Sequence, residues 1–400
     1  MCQYLGRDII EICGPPLTFE DVSSALMPKK LTTSPISDPE AVITKQNVYS
    51  LTHDQLTEQL IALGQPKFRA KQVSDWVYQR GVTSFAEMSN LPKKLRATLT
   101  EHFCFGHLEI AISQVSEDGT EKRLYRLPDG QMIESVLMPY QDGRRTACIS
   151  SQAGCAMGCG FCATGQMGFS RHLSAEEIFE QAQLFSAELQ QRGERLTNCV
   201  FMGMGEPFHN YDQMIRAIHL IKDRLGIGAR RITVSTVGLV PKILQFAQEG
   251  LQVKLAISLH ATRDDERGAM MPINRKYPIA DLIDACREFV NQTRRRVTFE
   301  WALIQGENDS EEEAKRLAKL LRGLLCHVNV IPLNPTTGYE GMPSDPERVR
   351  RFVKTLEHNG VPATVRIRRG IDIDAGCGQL KSEVERKRAK KSQPLVQIEG

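Results

Sequence analysis

Gly154-Cys155-Ala156-Met157-Gly158-Cys159-Gly160-Phe161-Cys162 places three thiols, spaced x3 and x2, in one short glycine-rich loop. A cubane iron–sulfur cluster is normally held by four cysteine thiolates, one for each iron. Three thiolates in one loop therefore leave one iron open to a substrate-like molecule. Zinc is the competing reading, but structural zinc sites take four protein ligands, usually as two close-spaced pairs. No second pair stands nearby, and His172 lies ten residues past Cys162. Three cysteines packed as small apolar side chains fit less well, because the glycines suit a backbone folded tightly around an inorganic core. The loop predicts one [4Fe–4S] cluster with one open iron on Cys155, Cys159 and Cys162.

Cys-x3-Cys-x-aromatic-Cys also resembles the signature of the radical S-adenosylmethionine (SAM) superfamily. That resemblance implies that the open iron chelates the amino and carboxylate groups of SAM. It further implies that an electron from the cluster cleaves the sulfonium to a 5′-deoxyadenosyl radical.

Outward from the loop, strands and helices alternate. Strands are predicted over 146–151, 199–202, 231–236, 253–258, 298–303 and 327–333, with a closing strand over 364–367. A helix capped by Ser174 and Glu177 follows the first. Others follow Asn210 and cover 241–248, 280–291, 311–325 and 345–358. Six such units in series argue for parallel strands. The fold class is α/β, a partial (β/α)6-type barrel over 146–380. The cluster loop leaves the C-terminal end of its first strand, where barrel active sites lie.

Upstream, Thr52 and Gln55 make a capping box ahead of Leu56, Leu60 and Leu63. Further helices over 68–80 and 93–102 complete a small helical domain, 49–105. Its Lys67, Arg69, Lys71, Arg80, Lys93, Lys94 and Arg96 form either a solvated face or a patch for an RNA backbone. Over 106–145 the period changes to two, and turn signals at Glu117-Asp118-Gly119 and Pro128-Asp129-Gly130 predict a β-hairpin linker region. Residues 1–48 read as an irregular extension, with Cys2 and Cys13 incidental. Residues 381–400 read as a basic tail.

The 400 residues carry 51 Lys and Arg against 48 Asp and Glu. No global basic field results, so any nucleic-acid contact rests on local clusters. Such clusters stand at Arg230-Arg231, Arg294-Arg295-Arg296 and Arg366-Ile367-Arg368-Arg369. No apolar run approaches the length of a membrane span, and the N-terminus lacks the plan of a signal peptide. A cytoplasmic location is expected. Eleven cysteines, an odd number in a long chain, argue against a disulfide scaffold.

Polar residues recur at the predicted strand ends, which share one rim in a barrel. Gly203-Met204-Gly205-Glu206-Pro207 follows the second strand; its glycines allow close ligand approach, and Glu206 offers a carboxylate to an amine. Ser235 ends the third strand, Ser258-Leu259-His260 the fourth, and Asn334 follows the sixth. Capping explains any one of these; together they describe a polar pocket. Two thiols also stand apart from Cys199, Cys286 and Cys326, which sit in apolar elements. Cys148 lies seven residues before Cys155, and Cys377 lies between two glycines, where a thiol is accessible. Glu134, in the apolar strand 132–137, either points to solvent or serves chemistry.

Cys148-Ile149-Ser150-Ser151-Gln152-Ala153-Gly154-Cys155, the triple-cysteine loop, Gly203–Pro207, Ile257-Ser258-Leu259-His260-Ala261, Ile331–Pro335 and Ala375-Gly376-Cys377-Gly378-Gln379-Leu380 resemble the RlmN/Cfr family of radical-SAM adenine methyltransferases. The resemblance covers about 49–380. It implies methylation of adenosine C2 in 23S rRNA (peptidyl-transferase region) and in tRNA next to the anticodon. A Cfr-like C8 methyltransferase is the alternative, and a non-methylating iron–sulfur protein is the reading of another class. Two SAM molecules per turnover are implied: one methylates Cys377, and the second, at the cluster, gives the radical that takes hydrogen from that methyl group. The methylene radical adds to the base, and a transient Cys148–Cys377 disulfide releases the product. Glu134 matches the proton acceptor, and Gly205, Glu206, Ser235, Ser258, Leu259, His260 and Asn334 match SAM-contacting positions. The implied partners are 23S rRNA, tRNA and an electron donor such as flavodoxin, with no membrane and a monomeric enzyme.

Overall fold

A strand sends alternate side chains to opposite faces, and most of the strands in this chain assemble edge to edge into one sheet. The computed structural model describes residues 45–380. The expectations for residues 1–44, Cys2 and Cys13 included, and for the basic tail lie outside the described residues.

The first described strand precedes Tyr49. β1 (Gln46–Asn47) pairs in parallel with β2 (Phe103–Cys104), closing off helices α1 (His53–Ala62), α2 (Phe68–Ser74) and α3 (Lys93–His102). The capping box at α1 is formed: Gln55 N–H donates to Thr52 Oγ1 at 3.1 Å, and Thr52 N–H to Gln55 Oε1 at 2.9 Å. Leu56, Leu60, Val73, Val77, Leu95 and Leu99 bury their side chains between the helices.

The main sheet has ten strands. β3 (Glu109–Val115), β4 (Glu121–Arg126) and β5 (Met132–Pro139) are antiparallel hairpin strands, and β5 also pairs with β6 (Arg145–Cys148). The hairpins thus extend the barrel sheet, where the sequence predicted a linker. The hairpin β7 (Gln152–Gly154)–β8 (Phe169–His172) flanks the cluster loop and the short helix α4 (Ala163–Met167). After α5 (Ala175–Gln191) come β9 (Asn198–Phe201), α6 (Tyr211–Leu225), β10 (Ile232–Thr236), α7 (Val240–Gln248) and β11 (Lys254–Ser258). The chain continues through α8 (Asp264–Met270), α9 (Ile279–Thr293), β12 (Val297–Leu303), α10 (Glu311–Leu320), β13 (Cys326–Pro332), α11 (Pro346–His358) and β14 (Ala363–Val365).

From β6 through β14 neighbouring strands run parallel in sequence order, with a helical crossover between each pair. This is the partial (β/α)6 barrel, and among the described residues no ladder joins β14 to β3. Two predicted boundaries were too long. The strand from 146 stops at Cys148, because the chain turns into β7 around the cluster loop. The helix from 311 stops at Leu320, and Gly323 (φ +75°) turns the chain toward β13. Among the described residues no helix is long and apolar enough to cross a membrane.

The two faces of the parallel sheet differ in chemistry. Ile232, Val234, Leu255, Ile257, Phe299, Trp301, Val328 and Val330 pack under the helices in one core. The register aligns the alternate residues on the other face: Ser235 with Ala256, Ser258 with Glu300, and Glu300 with Asn329. Purely structural parallel sheets are apolar on both faces, so this polar face marks the side that serves a ligand.

Glu180 on α5 fastens the helical region to the barrel. Its buried carboxylate accepts the His107 N–H at 2.9 Å and the Leu108 N–H at 2.9 Å. Burial lifts this carboxyl to about 7. Glu180→Ala leaves both amides without their acceptor, which costs about 1–3 kcal/mol. Urea denaturation is expected to show a lowered midpoint, with faster hydrogen exchange at His107 and Leu108; an unchanged midpoint would refute the anchoring role.

Candidate active site

The C-terminal ends of the parallel strands, with the loops that leave them, wall a cavity of about 1000 Å³ including its open mouth. Cys155, Cys159, Cys162, Gly205, Glu206, Ser235, Ser258, His260, Asn334 and Cys377 all line it. Leu259 does not; its side chain is buried in the main core, and its carbonyl accepts from Arg267. Glu134 and Cys148 are also absent from this lining. Cys148 opens instead onto an adjoining cavity that shares Met202, Ile331, Asn334, Arg366 and Cys377 with the first.

The cluster loop is held by its backbone. Cys155 N–H donates to Gly168 C=O at 2.7 Å, Gly160 N–H to Met270 C=O at 3.0 Å, and Cys162 N–H to Cys159 C=O at 3.1 Å. Burial raises all three thiols, Cys155 to about 12, and Cys159 is raised further by the charges of the other two. Among the described residues no three Cys, His, Asp or Glu side chains close on a common point fit for a single metal ion. Cys155, Cys159 and Cys162 all face one cavity, and soft thiolates are the ligands of iron–sulfur cores. The residues therefore fit the group that their spacing predicts.

Glycines shape the next wall. A Cβ at Gly203 would lie 2.7 Å from Ile149 C=O, and one at Gly205 (φ +99°) 2.6 Å from Gln152 Cβ. The glycines let this loop pass against the chain leaving β6, and both also line the cavity. That passage delivers Glu206, whose carboxylate accepts Phe208 N–H at 2.9 Å and Val237 N–H at 2.8 Å. Burial outweighs these donors and pushes Glu206 up to about 7.

His260 adopts a left-handed backbone (φ +62°), a strain of the kind concentrated at functional sites. Its Nδ1 accepts Ala302 N–H at 2.9 Å, and burial lowers the imidazole to about 3. It is therefore neutral, with its proton on Nε2. Phe161, the aromatic of the cysteine motif, meets its ring edge-on at 4.9 Å.

The Cys377 loop is stapled to the cluster loop. Ala163 N–H donates to Gly378 C=O at 2.7 Å, Thr164 Oγ1 to Leu380 C=O at 2.8 Å, and Asn334 Nδ2 to Cys377 C=O at 3.1 Å. Asn334 Oδ1 is buried with no hydrogen-bond partner among the described residues. Cys148 is buried and pushed up to about 12, first by burial and then by Cys377. Glu134 and Cys148 share one face of the sheet, since Val136 pairs with Cys148. The Glu134 carboxylate lies 3.8 Å from Lys122 Nζ, which also donates to Asp374 C=O at 3.5 Å beneath the Cys377 loop. The solvent-facing reading of Glu134 fails, because the residue is only 1% exposed.

Sequence reasoning missed three participants. Arg366, assigned to an RNA patch, turns inward: the charges of Cys377, Glu300 and Cys148 all act on its guanidinium. Glu300, central in β12, accepts Asn329 Nδ2 at 2.8 Å and lines the cavity. A carboxylate inside Val297-Thr298-Phe299-Glu300-Trp301-Ala302-Leu303 was the available signal. Arg267 on α8 is fully buried and ties the rim loops together, donating to the carbonyls of Val237, Ser258 and Leu259. Conversely, Arg230-Arg231 and Arg294-Arg295-Arg296 precede β10 and β12, at the opposite strand ends from the cavity.

Residues 149–318 match the radical SAM superfamily, and residues 46–105 match the ribosomal RNA large subunit methyltransferase N-terminal domain. The chain is 50% identical over 354 residues to the dual-specificity RNA methyltransferase RlmN 1 of Myxococcus xanthus, covering 88% of this chain and 98% of that one. The chain belongs to the RlmN family. The crystal structure of a radical SAM methyltransferase from Sphaerobacter thermophilus is 50% identical, covers 84% of this chain and 99% of that one, and superposes with a TM-score of 0.80. As an RlmN-family enzyme the chain uses SAM and an iron–sulfur cluster of the [4Fe–4S] type.

A cationic ligand held by Glu206 needs its carboxylate ionised. With the carboxyl raised to about 7, the ionised fraction falls as pH drops from 8 to 6. SAM affinity, measured by equilibrium binding to the cluster-loaded protein, is expected to weaken over that interval. Glu206→Gln is expected to bind weakly at both values; a wild-type affinity indifferent to pH would exclude the pairing.

Proposed function

We propose that the protein methylates C2 of adenosine in 23S rRNA and in tRNA next to the anticodon. The observation that carries this reading is the Cys377 loop, fastened by hydrogen bonds to the cluster loop with Cys148 opening onto the same space. Adenine C2 is not nucleophilic, so direct methyl transfer is unfavourable, and a thiol carrier beside a radical source answers the difficulty. When bound, the cluster and SAM supply a 5′-deoxyadenosyl radical.

Each residue then has a distinct task. Cys155, Cys159 and Cys162 hold the cluster and leave one iron open. Glu206, Gly205, Ser235, Ser258, His260, Asn334 and the Leu259 backbone form the SAM pocket. Glu206 accepts a hydrogen bond from the SAM amino group, and the neutral His260 Nε2–H and the unpaired Asn334 Oδ1 supply a donor and an acceptor. Cys377 carries a methyl group taken from a first SAM, and the second SAM makes two per turnover. Loss of a hydrogen atom turns that methyl group into a methylene radical that bonds to C2. The adduct radical then gives up one electron, returned to the cluster, and its C2 proton, which Glu134 accepts. Cys148 then attacks the Cys377 sulfur, so that an S–S bond forms as the bond from sulfur to the methylene carbon breaks. The carbon keeps that electron pair and takes up a proton to become the methyl group. The protein contributes positioning and water exclusion, and the cofactors carry the radical chemistry.

The domain division follows from these tasks. Residues 49–105 are a helical RNA-binding domain, 106–145 a hairpin region that carries Glu134, and 146–380 the catalytic barrel. A low-potential donor such as flavodoxin supplies electrons, and the enzyme acts as a cytoplasmic monomer.

The deciding experiment incubates anaerobically reconstituted protein with SAM, a reductant and unmodified rRNA or tRNA, and reads the nucleosides by mass spectrometry. 2-Methyladenosine is expected; 8-methyladenosine would move the activity to the other carbon, and neither product would defeat the methyltransferase reading. Cys377→Ala is expected to abolish methylation, and full activity would eliminate the methylcysteine route. Cys148→Ala is expected to accumulate a covalent protein–RNA adduct on denaturing gels. Absence of any adduct would sink its resolving role.

A further inference from the structure

The strand ends remote from the cavity carry a charge pattern that the chemistry leaves unexplained. β6, β10, β11 and β12 each enter the sheet on basic residues: Arg144 and Arg145, the latter paired with Glu194, then Arg230 and Arg231, Lys254, and Arg295 and Arg296. Parallel register brings these entries side by side, with Val297 beside Leu255 and Thr233 beside Lys254. Arg144, Arg230, Arg231, Lys254 and Arg296 are exposed.

Surface cations usually sit beside carboxylates, and these mostly do not. Arg144 pairs with Asp142 at 2.8 Å and Arg145 with Glu194, but among the described residues Arg230, Arg231, Lys254, Arg295 and Arg296 form no ion pair. Arg230 Nε instead donates to Gln252 Oε1 at 2.8 Å, and Arg295 Nε is buried without a partner. The cations also act on one another: burial lowers Lys254, and the charges of Arg296, Arg295 and Arg144 lower it further. Unrelieved like-charge repulsion disfavours the fold and favours an anion that bridges several cations at once. A chain of phosphates does this, because its charges recur at regular spacing.

We propose that this strand-entry rim is a second docking surface for an RNA backbone, which takes a segment of the substrate remote from the target adenosine. It rests on the RNA methyltransferase reading and deepens it. β12, seven residues long, separates its two ends by about 20 Å at roughly 3.3 Å per residue. A small hairpin seated at the cavity mouth does not extend around the barrel, whereas a whole tRNA or a large rRNA fragment does. The rim therefore discriminates substrates by size and architecture, while the cavity reads the base.

The test compares wild type with the combined variant Arg230→Gln, Arg231→Gln, Lys254→Gln and Arg296→Gln. Binding of whole tRNA is measured against salt concentration, and methylation is followed on whole tRNA and on a short anticodon hairpin. The logarithmic salt slope is expected to become shallower by about one for each phosphate contact removed. KM for whole tRNA is expected to rise about tenfold with kcat unchanged, and the hairpin to be bound and methylated as by wild type. An unchanged salt slope overturns the inference, as does an equal loss on tRNA and hairpin. Weakened binding of an acidic protein or an anionic vesicle with tRNA binding intact overturns it in favour of another partner. A wild-type protein that methylates neither RNA defeats the underlying functional reading instead.

Discussion

Alternation along a parallel strand is the constraint on which this structure depends. Each parallel strand, β6 and β9 through β14, gives one set of side chains to a helix-covered core and the other to the interior of an open barrel. The first set is Val, Ile, Leu, Phe and Trp, and it supplies the apolar burial that dominates folding. The second set, which holds Ser235, Ser258, Glu300 and Asn329, contributes little apolar burial. It survives because the outward face carries the stability. The crossover helices and their loops then set the cavity at the strand C-terminal ends, where polar side chains and loop backbone converge.

Within that frame, the cluster loop and the Cys377 loop behave as one construction. They come from positions more than two hundred residues apart, yet Ala163 and Thr164 donate to Gly378 and Leu380. Asn334 at the end of β13 holds Cys377 from a third direction. Three anchors on a loop otherwise rich in glycine fix the thiol in place, which matters where a one-ångström error is costly for catalysis. The electrostatics are equally local. Burial keeps Cys148 protonated at neutral pH, hence unreactive toward adventitious electrophiles. Arg366 provides a positive charge beside both thiols.

Most of the barrel was legible in the sequence because period-two and helical segments alternate and caps such as Ser174–Glu177 are explicit. The cluster cysteines were legible because their spacing serves one chemistry. The rest depended on register, which no single strand encodes. Glu134 reads as either a solvent-facing or a chemical carboxylate until Leu124 of β4 pairs with it and Lys122 reaches it from the same strand. Arg366 reads as part of a basic run until the end of β14 brings it beside Glu300, Cys148 and Cys377. Arg267 gave no signal, since a lone arginine in Arg263-Asp264-Asp265-Glu266-Arg267 looks like a salt-bridged surface residue. Its burial follows from the way α8 packs beneath the rim loops. The strand that ended at Cys148 was overextended for a related reason: the bend around a cluster loop is set by what the loop encloses.

The placement of the arginine clusters leads to a general point about reading basic sequences in barrels. A cluster just before a strand and one just after it look alike in sequence, yet the strand carries them to opposite ends of the fold. Here Arg366 stands at the catalytic end, whereas Arg230, Arg231, Arg295 and Arg296 stand at the entry end. The first faces Glu300 and the two thiols; the second set is left without carboxylates and repels itself. Repulsion tolerated at a surface is informative because Arg230, Arg231 and Arg296 are exposed and take no part in the apolar core. A phosphate backbone laid across the entry end relieves that repulsion, whereas the isolated barrel retains it. Attraction to the whole RNA can thus be supplied at a distance from the base that reacts, leaving the polar interior free to be shaped by SAM, the cluster and one adenine.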